Sequence, residues 1–199
     1  MSAIPVPAIP PPATPWELPS KGRMGMFSLV AAESTIFSIF VVAYIFYIGK
    51  SLFGPTPRQI LEVPIFATIC LLSSSITIHF AVAALRKGQI PTFTLFWGIT
   101  AALGAIFLIA TGLEWYRMIY KLGFTIRTNL FGTTYYSLVG LHASHVTVGL
   151  IGLFLVLILA LAGKVRQEHA EKCEIFSIYW HFVDAVWVVV FTMVYIVGR

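Results

Sequence analysis

The sequence predicts an all-α integral membrane protein, a bundle of five transmembrane helices. Five apolar stretches, at 26–49, 63–85, 92–115, 133–162 and 175–198, each reach the roughly 20 residues a helix needs to cross a hydrocarbon core. None alternates apolar and polar side chains as a strand does, and a helix satisfies its own backbone in lipid. Only 11% of the 199 residues are charged and 58% are hydrophobic, with a mean hydropathy of +0.89. Soluble domains carry about 25% charged residues. A globule of this size would lack the polar surface to meet water.

Residues 1–23 precede the first stretch and hold Pro5, Pro7, Pro10, Pro11, Pro12, Pro15 and Pro19. Proline fixes φ and removes amide donors, so this segment reads as an extended arm lying on a partner or in solvent. It lacks the ordered basic, apolar and small-residue regions of a secretory signal. Residues 24–199 then form one transmembrane domain. Its fourth stretch is long enough to tilt or protrude. The connections carry the expected breakers: Gly54, Pro55 and Pro57 in the first, Gly88 and Pro91 in the second, and charged residues in the last two. No internal repeat is visible, which argues against an inverted-repeat transporter.

The net charge of +5 sits on Lys and Arg at the ends of the stretches, where they set topology and meet headgroups. It gives no ground for nucleic-acid binding. Lys21, Arg23, Arg86, Lys87, Lys164, Arg166 and Lys172 share one side; Lys50, Arg58, Arg117, Lys121, Arg127 and Arg199 share the other. That near balance leaves orientation open. Cys70, inside a stretch, and Cys173, at a border, make neither a CxxC nor a metal-type spacing.

An ionisable group in hydrocarbon is costly and needs a partner or a task. Glu33, Glu114 and Asp184 lie within the stretches. Glu33 reads either as a proton-linked or lipid-contacting carboxyl, or as an acid hydrogen-bonded to a neighbouring helix. Glu114, beside Trp115, Tyr116 and Arg117, has an interfacial address where an aromatic belt and a snorkelling arginine are ordinary. In the last stretch His181 and Asp184 are spaced i,i+3, and Glu174 lies seven residues before His181. Such spacing places all three on one stripe that must face protein. His142 and His145, also i,i+3, share a face and are expected to supply hydrogen bonds between helices. Gly149 and Gly152, with Ala143 and Ser144, permit close helix approach.

His79, His142, His145 and His181 in an apolar chain raise the question of haem. A bis-histidine site would pair imidazoles of two helices at one depth, such as His142 and His181. No CxxCH is present, no repeated histidine pairs build a two-haem stack, and copper would lack its cysteine or methionine companions. The expectation is structural hydrogen bonding and no metal in this chain.

The run Tyr179-Trp180-His181-Phe182-Val183-Asp184-Ala185-Val186-Trp187, with Glu174 upstream, resembles a signature of the subunit III family of haem–copper oxidases. Gly140-Leu141-His142-Ala143-Ser144-His145-Val146-Thr147-Val148-Gly149 is similar to a second family motif, with Ala143 where glycine is frequent. Glu33 with Phe37 and Tyr44 resembles the family's buried-glutamate helix, Leu72 to Thr77 its serine-rich helix, and Gly104, Phe107 and Glu114 the next. Ala32, Thr111 and Trp115 depart from frequent family residues. The likeness runs from about Met26 to the C-terminus and fits the five-helix form. It implies a non-catalytic subunit with haem and copper in partner subunits, beside catalytic subunit I and other oxidase subunits. It further implies bound phospholipid, support for proton uptake, and a place in the bacterial cytoplasmic (inner) membrane with a cytoplasmic N-terminus; membership of a larger respiratory assembly is left open by the sequence. Glu33 corresponds to the family's buried carboxyl and is the proton-linked or lipid-contacting candidate. His142, His145, Glu174, His181 and Asp184 are expected to form an internal polar network. A quinol oxidase or nitric-oxide-reductase-associated homologue shares the motifs, and a haem-binding membrane cytochrome is the reading of a different class.

Overall fold

The computed structural model describes residues 19–51 and 53–198. Six α-helices follow in order: α1 (Lys21–Tyr47), α2 (Pro57–Ile60), α3 (Ile65–Arg86), α4 (Ile90–Tyr116), α5 (Leu130–Leu161) and α6 (Ala170–Phe191). α2 is a single turn in the first connection. The other five are long and apolar enough to cross a membrane, and the described residues contain no strand. Most of the Pro-rich arm lies outside the described residues.

The helix ends follow local chemistry more closely than hydropathy. α1 begins at Lys21, earlier than the expected residue 26, because Ser20 is extended and its side chain accepts from the Arg23 amide. α5 begins at Leu130, where the Asn129 side chain accepts from Gly132 N. α4 carries Pro91 in its first turn, the position that tolerates proline. Two spans end in π-helical turns, Arg117–Lys121 after α4 and Thr192–Val197 after α6. Gly88 closes α3 at φ +72°, a left-handed conformation that glycine adopts without strain.

α1 starts at one end of the bundle, here the near end, and reaches the far end at Tyr47; α3 and α5 run back and α4 and α6 run forward. α3 and α4 form the most extensive pair, α6 packs on α3 and α5, and α1 lies at the edge against α5 and α6. The edge position shows in α1 itself, where only Phe37 and Tyr44 are buried.

The centre of the packing is Trp180 of α6. Its indole lies against α4 and α5 at glycines: a Cβ on Gly104 would stand 2.9 Å from the ring, and one on Gly149 2.8 Å. Its Nε1 donates to Ser74 Oγ of α3 at 2.8 Å. One residue thus joins four helices. Other tryptophans repeat the device, with Trp97 Nε1 donating to Leu153 O at 3.0 Å and Trp187 Nε1 to Thr68 Oγ1 at 3.1 Å. Thr77 and Thr100 bridge α3 and α4 at 2.7 Å. Cys70 and Cys173 are buried free thiols.

A side chain larger than hydrogen at Gly104 or Gly149 forces the indole out of its slot. Gly149→Val is expected to cost about 1–3 kcal/mol of stability through overpacking, read as a lowered thermal midpoint in detergent. Gly112→Val, where an added Cβ meets nothing within 4 Å, is expected to behave as the parent; equal midpoints for the two variants would remove Trp180 from the centre of the packing.

Candidate functional site

The residues expected to make one polar network fall instead into three separate clusters and one lone imidazole. Each cluster joins two or more helices, and each has a different chemical content.

At mid-depth between α1 and α5, Glu33 Oε2 lies 3.0 Å from His145 Nε2. The other ring nitrogen, Nδ1, lies 2.8 Å from Leu141 O, one turn back on α5. A carbonyl oxygen only accepts, so Nδ1 carries a hydrogen. The Nε2–Oε2 contact then contains a single proton, borne by the carboxyl on a neutral imidazole or by the imidazolium on a carboxylate. The pair is partly open, with side-chain exposures of 23% for Glu33 and 15% for His145. It lies in a shallow groove with Leu29, Ser144, Val148 and Tyr179. The Tyr179 hydroxyl donates to His145 O at 3.1 Å, anchoring α6 to the same point.

Beside this groove, α1 and α6 leave a second, apolar one lined by Phe37, Val41, Phe182, Val186 and Val189. Ser34 and Ser38 also line it, but each donates back to its own helix, to Val30 O and Ser34 O at 2.7 Å. Their hydroxyl hydrogens are thereby engaged within the helix, which keeps the lining compatible with hydrocarbon.

The second cluster lies between α3 and α6. Ser75 Oγ donates to Asp184 Oδ2 and lies 3.0 Å from His181 Nδ1. With the hydroxyl hydrogen directed to the carboxyl, the imidazole is the donor to Oγ. His181 and Asp184 therefore meet through a hydroxyl of the neighbouring helix, not through each other. Asp184 is buried, and its Oδ1 has no protein partner among the described residues. Ser75 was legible only as part of a serine run.

Glu174 belongs to neither cluster. It sits at the near end, where Arg23 Nη2 of α1 and Arg86 Nη2 of α3 reach its Oε2 at 2.8 and 2.5 Å. Sharing a stripe with His181 places it on the same side of α6, but about 10 Å along the axis. The arginines pull it into an interfacial clamp on three helices.

His142 corrects the expectation of an interhelical hydrogen bond. It is buried, and neither ring nitrogen has a partner among the described residues. The ring stacks on Trp187, with centroids 5.0 Å apart and planes at 28°, and meets the edge of Phe107 at 5.9 Å. Three residues along a helix turn the face by about 60°, so His145 looks at α1 while His142 looks into the aromatic interior.

No group of three or more His, Cys, Asp or Glu side chains gathers among the described residues. Both nitrogens of His145 are engaged, and His142 is closed in by aromatic rings.

Comparison with known proteins follows the same lines. Residues 20–199 match the family model for cytochrome c oxidase subunit III. Cytochrome c oxidase subunit 3 of Synechocystis sp. is 36% identical over 187 residues, covering 89% of this chain and 76% of that protein. The subunit of the same name from Bacillus sp. strain PS3 is 32% identical, covering 88% and 85%. Quinol oxidase subunit 3 of Bacillus subtilis is 30% identical, covering 88% and 86%.

Removing one member of the α3–α6 cluster strands the others in hydrocarbon. Asp184→Leu and His181→Leu are each expected to cost about 1–3 kcal/mol, seen as reduced yield in the membrane, whereas Asp184→Asn keeps an acceptor for Ser75 and retains most of it. Normal yield and stability of both leucine variants would show that the cluster does not hold the helices.

Proposed function

The chain belongs to the cytochrome c oxidase subunit III family, a membrane subunit associated with other subunits of a haem–copper oxidase, and from that premise we propose its part in the complex. It is a non-catalytic subunit that braces catalytic subunit I, binds phospholipid and supports proton uptake while oxygen is reduced to water and protons are pumped. Haem and copper belong to partner subunits. The chain lies in the bacterial inner membrane with a cytoplasmic N-terminus.

The Glu33–His145 pair carries this reading. A single proton shared by a carboxyl and an imidazole can be given or taken at one atom with little movement of either side chain. The partly open groove lets that atom meet lipid or a partner subunit. The apolar groove between α1 and α6 is suited to an acyl chain, since its serines are turned to their own backbone. At the near end, the Arg23–Glu174–Arg86 clamp bears one positive charge in excess at the level of headgroup phosphates. Bracing is supported by the three clusters, which tie α1, α3, α5 and α6 of this chain into one body without depending on hydrophobic association, which is weak between helices in lipid.

Two donors fit this family. Relatives include both a cytochrome c oxidase subunit and a quinol oxidase subunit at similar identity, and the residues that would read the donor lie in other subunits. Activity of the purified complex with reduced cytochrome c against activity with quinol decides between them.

Glu33→Gln retains a hydrogen bond to His145 Nε2 but cannot release a proton from it. The variant complex is expected to assemble normally and to lose activity sooner during turnover, or to retain less phospholipid. Unchanged turnover lifetime together with unchanged lipid content would remove Glu33 from this role.

A further inference from the structure

Phe37 is buried at 4% exposure on the edge helix, where only Tyr44 is buried with it. It follows Glu33 by four residues, so the two side chains stand one turn apart on the face of α1 that is turned to α5. The shallow groove around the Glu33–His145 pair does not include it.

Three aromatic contacts place the Phe37 ring. Its centroid lies 4.9 Å from that of His145, with the planes at 58°. On α6 it meets the ring of Phe182 at 6.2 Å and 72°, within the edge-to-face geometry that aromatic pairs prefer. The third neighbour is His142, at 6.5 Å and 63°. One phenyl ring thus reaches both histidines of the i,i+3 pair on α5 and is backed by α6.

This placement bears on the shared proton in two ways. The contact of His145 Nδ1 with Leu141 O lies within α5 and sets the direction of the imidazole, but not its distance from α1. The terminal torsion of a histidine has a broad well, and the 3.0 Å between Nε2 and Glu33 Oε2 requires one separation of the two helices. Phe37, wedged between His145 and Phe182, is a spacer one turn from the carboxyl. It also covers the imidazole with hydrocarbon, and a hydrogen bond is stronger in apolar surroundings than where water reaches it. The same ring lines the apolar groove between α1 and α6, so it stands between that groove and the imidazole.

We infer that Phe37 is a positioning residue for the shared proton: its ring, backed by Phe182, holds the His145 imidazole at bonding distance from Glu33 and closes the pair off from the apolar groove. The inference rests on the reading of Glu33 and His145 as the proton-linked pair. Phe37 carries no proton itself and acts through His145.

Infrared spectra of the intact complex labelled with carbon-13 glutamate test it. In each background the Glu33 band is the one lost when Glu33→Gln is added, and its frequency reports the hydrogen bond to His145. His145→Leu, which removes that bond, is expected to shift the band. Phe37→Ala is expected to shift it in the same direction by a comparable amount, with Phe37→Leu between. A merely structural Phe37 would lower the stability of the complex without moving the band. An unmoved band in Phe37→Ala, where His145→Leu does move it, would overturn the role of Phe37 and leave the pair intact. A band unmoved by His145→Leu would end the Glu33–His145 reading and this inference with it. If the alanine variant does not assemble, Phe37→Leu, which keeps apolar volume but lacks the flat ring, decides in the same way.

Discussion

The indole of Trp180 enters a slot that exists only because Gly104 and Gly149 present bare backbone, and its single polar atom finds Ser74 on a further helix. Lipid gives helices little reason to associate, since hydrocarbon tails are as apolar as the side chains they touch. Close fit and internal hydrogen bonds must supply what the hydrophobic effect does not. Trp180 supplies both. Its position sets the distance of α6 from α4 and α5, and so the level at which the polar side chains of α6 meet their neighbours on α3 and α5.

From that packing follow three polar cross-links with different tasks. The Ser75 hydroxyl holds His181 and the buried Asp184 in a part-buried cluster between α3 and α6. The Arg23–Glu174–Arg86 clamp stands at the near end, where headgroups and water temper the charge. The Glu33–His145 pair differs from both, because it joins the edge helix α1 to α5 and contains one transferable proton between a carboxyl and an imidazole. A subunit that braces a neighbour and serves proton traffic needs the first two kinds of contact for shape and the third for chemistry.

Much of the architecture was legible in the sequence. Five spans, the breaker-rich connections and the inward stripe of α6 follow from hydropathy, proline, glycine and helical spacing, and capping by Ser20 and Asn129 explains the displaced helix ends. The clusters were less legible, because helical spacing tells which residues share a face but not what stands opposite. His142 and His145 share a face by the i,i+3 rule, yet the first meets aromatic rings and the second a carboxyl. Glu174 and His181 share a stripe, yet they are too far apart along the axis to touch. Glu114 read as an ordinary interfacial acid, because nothing in its own helix announces the tyrosines brought near it by α5 and the end of α6.

The Glu33–His145 pair is the centre of this account, and the tautomer of His145 tests it most directly. Nitrogen-15 NMR of the histidine-labelled complex, with the signal assigned by its loss in His145→Gln, reads each ring nitrogen separately. A hydrogen on Nδ1, with an Nε2 resonance that shifts when Glu33 becomes glutamine, is the predicted result. A bare Nδ1 with an Nε2 resonance indifferent to Glu33 would contradict the shared proton and the function built on it.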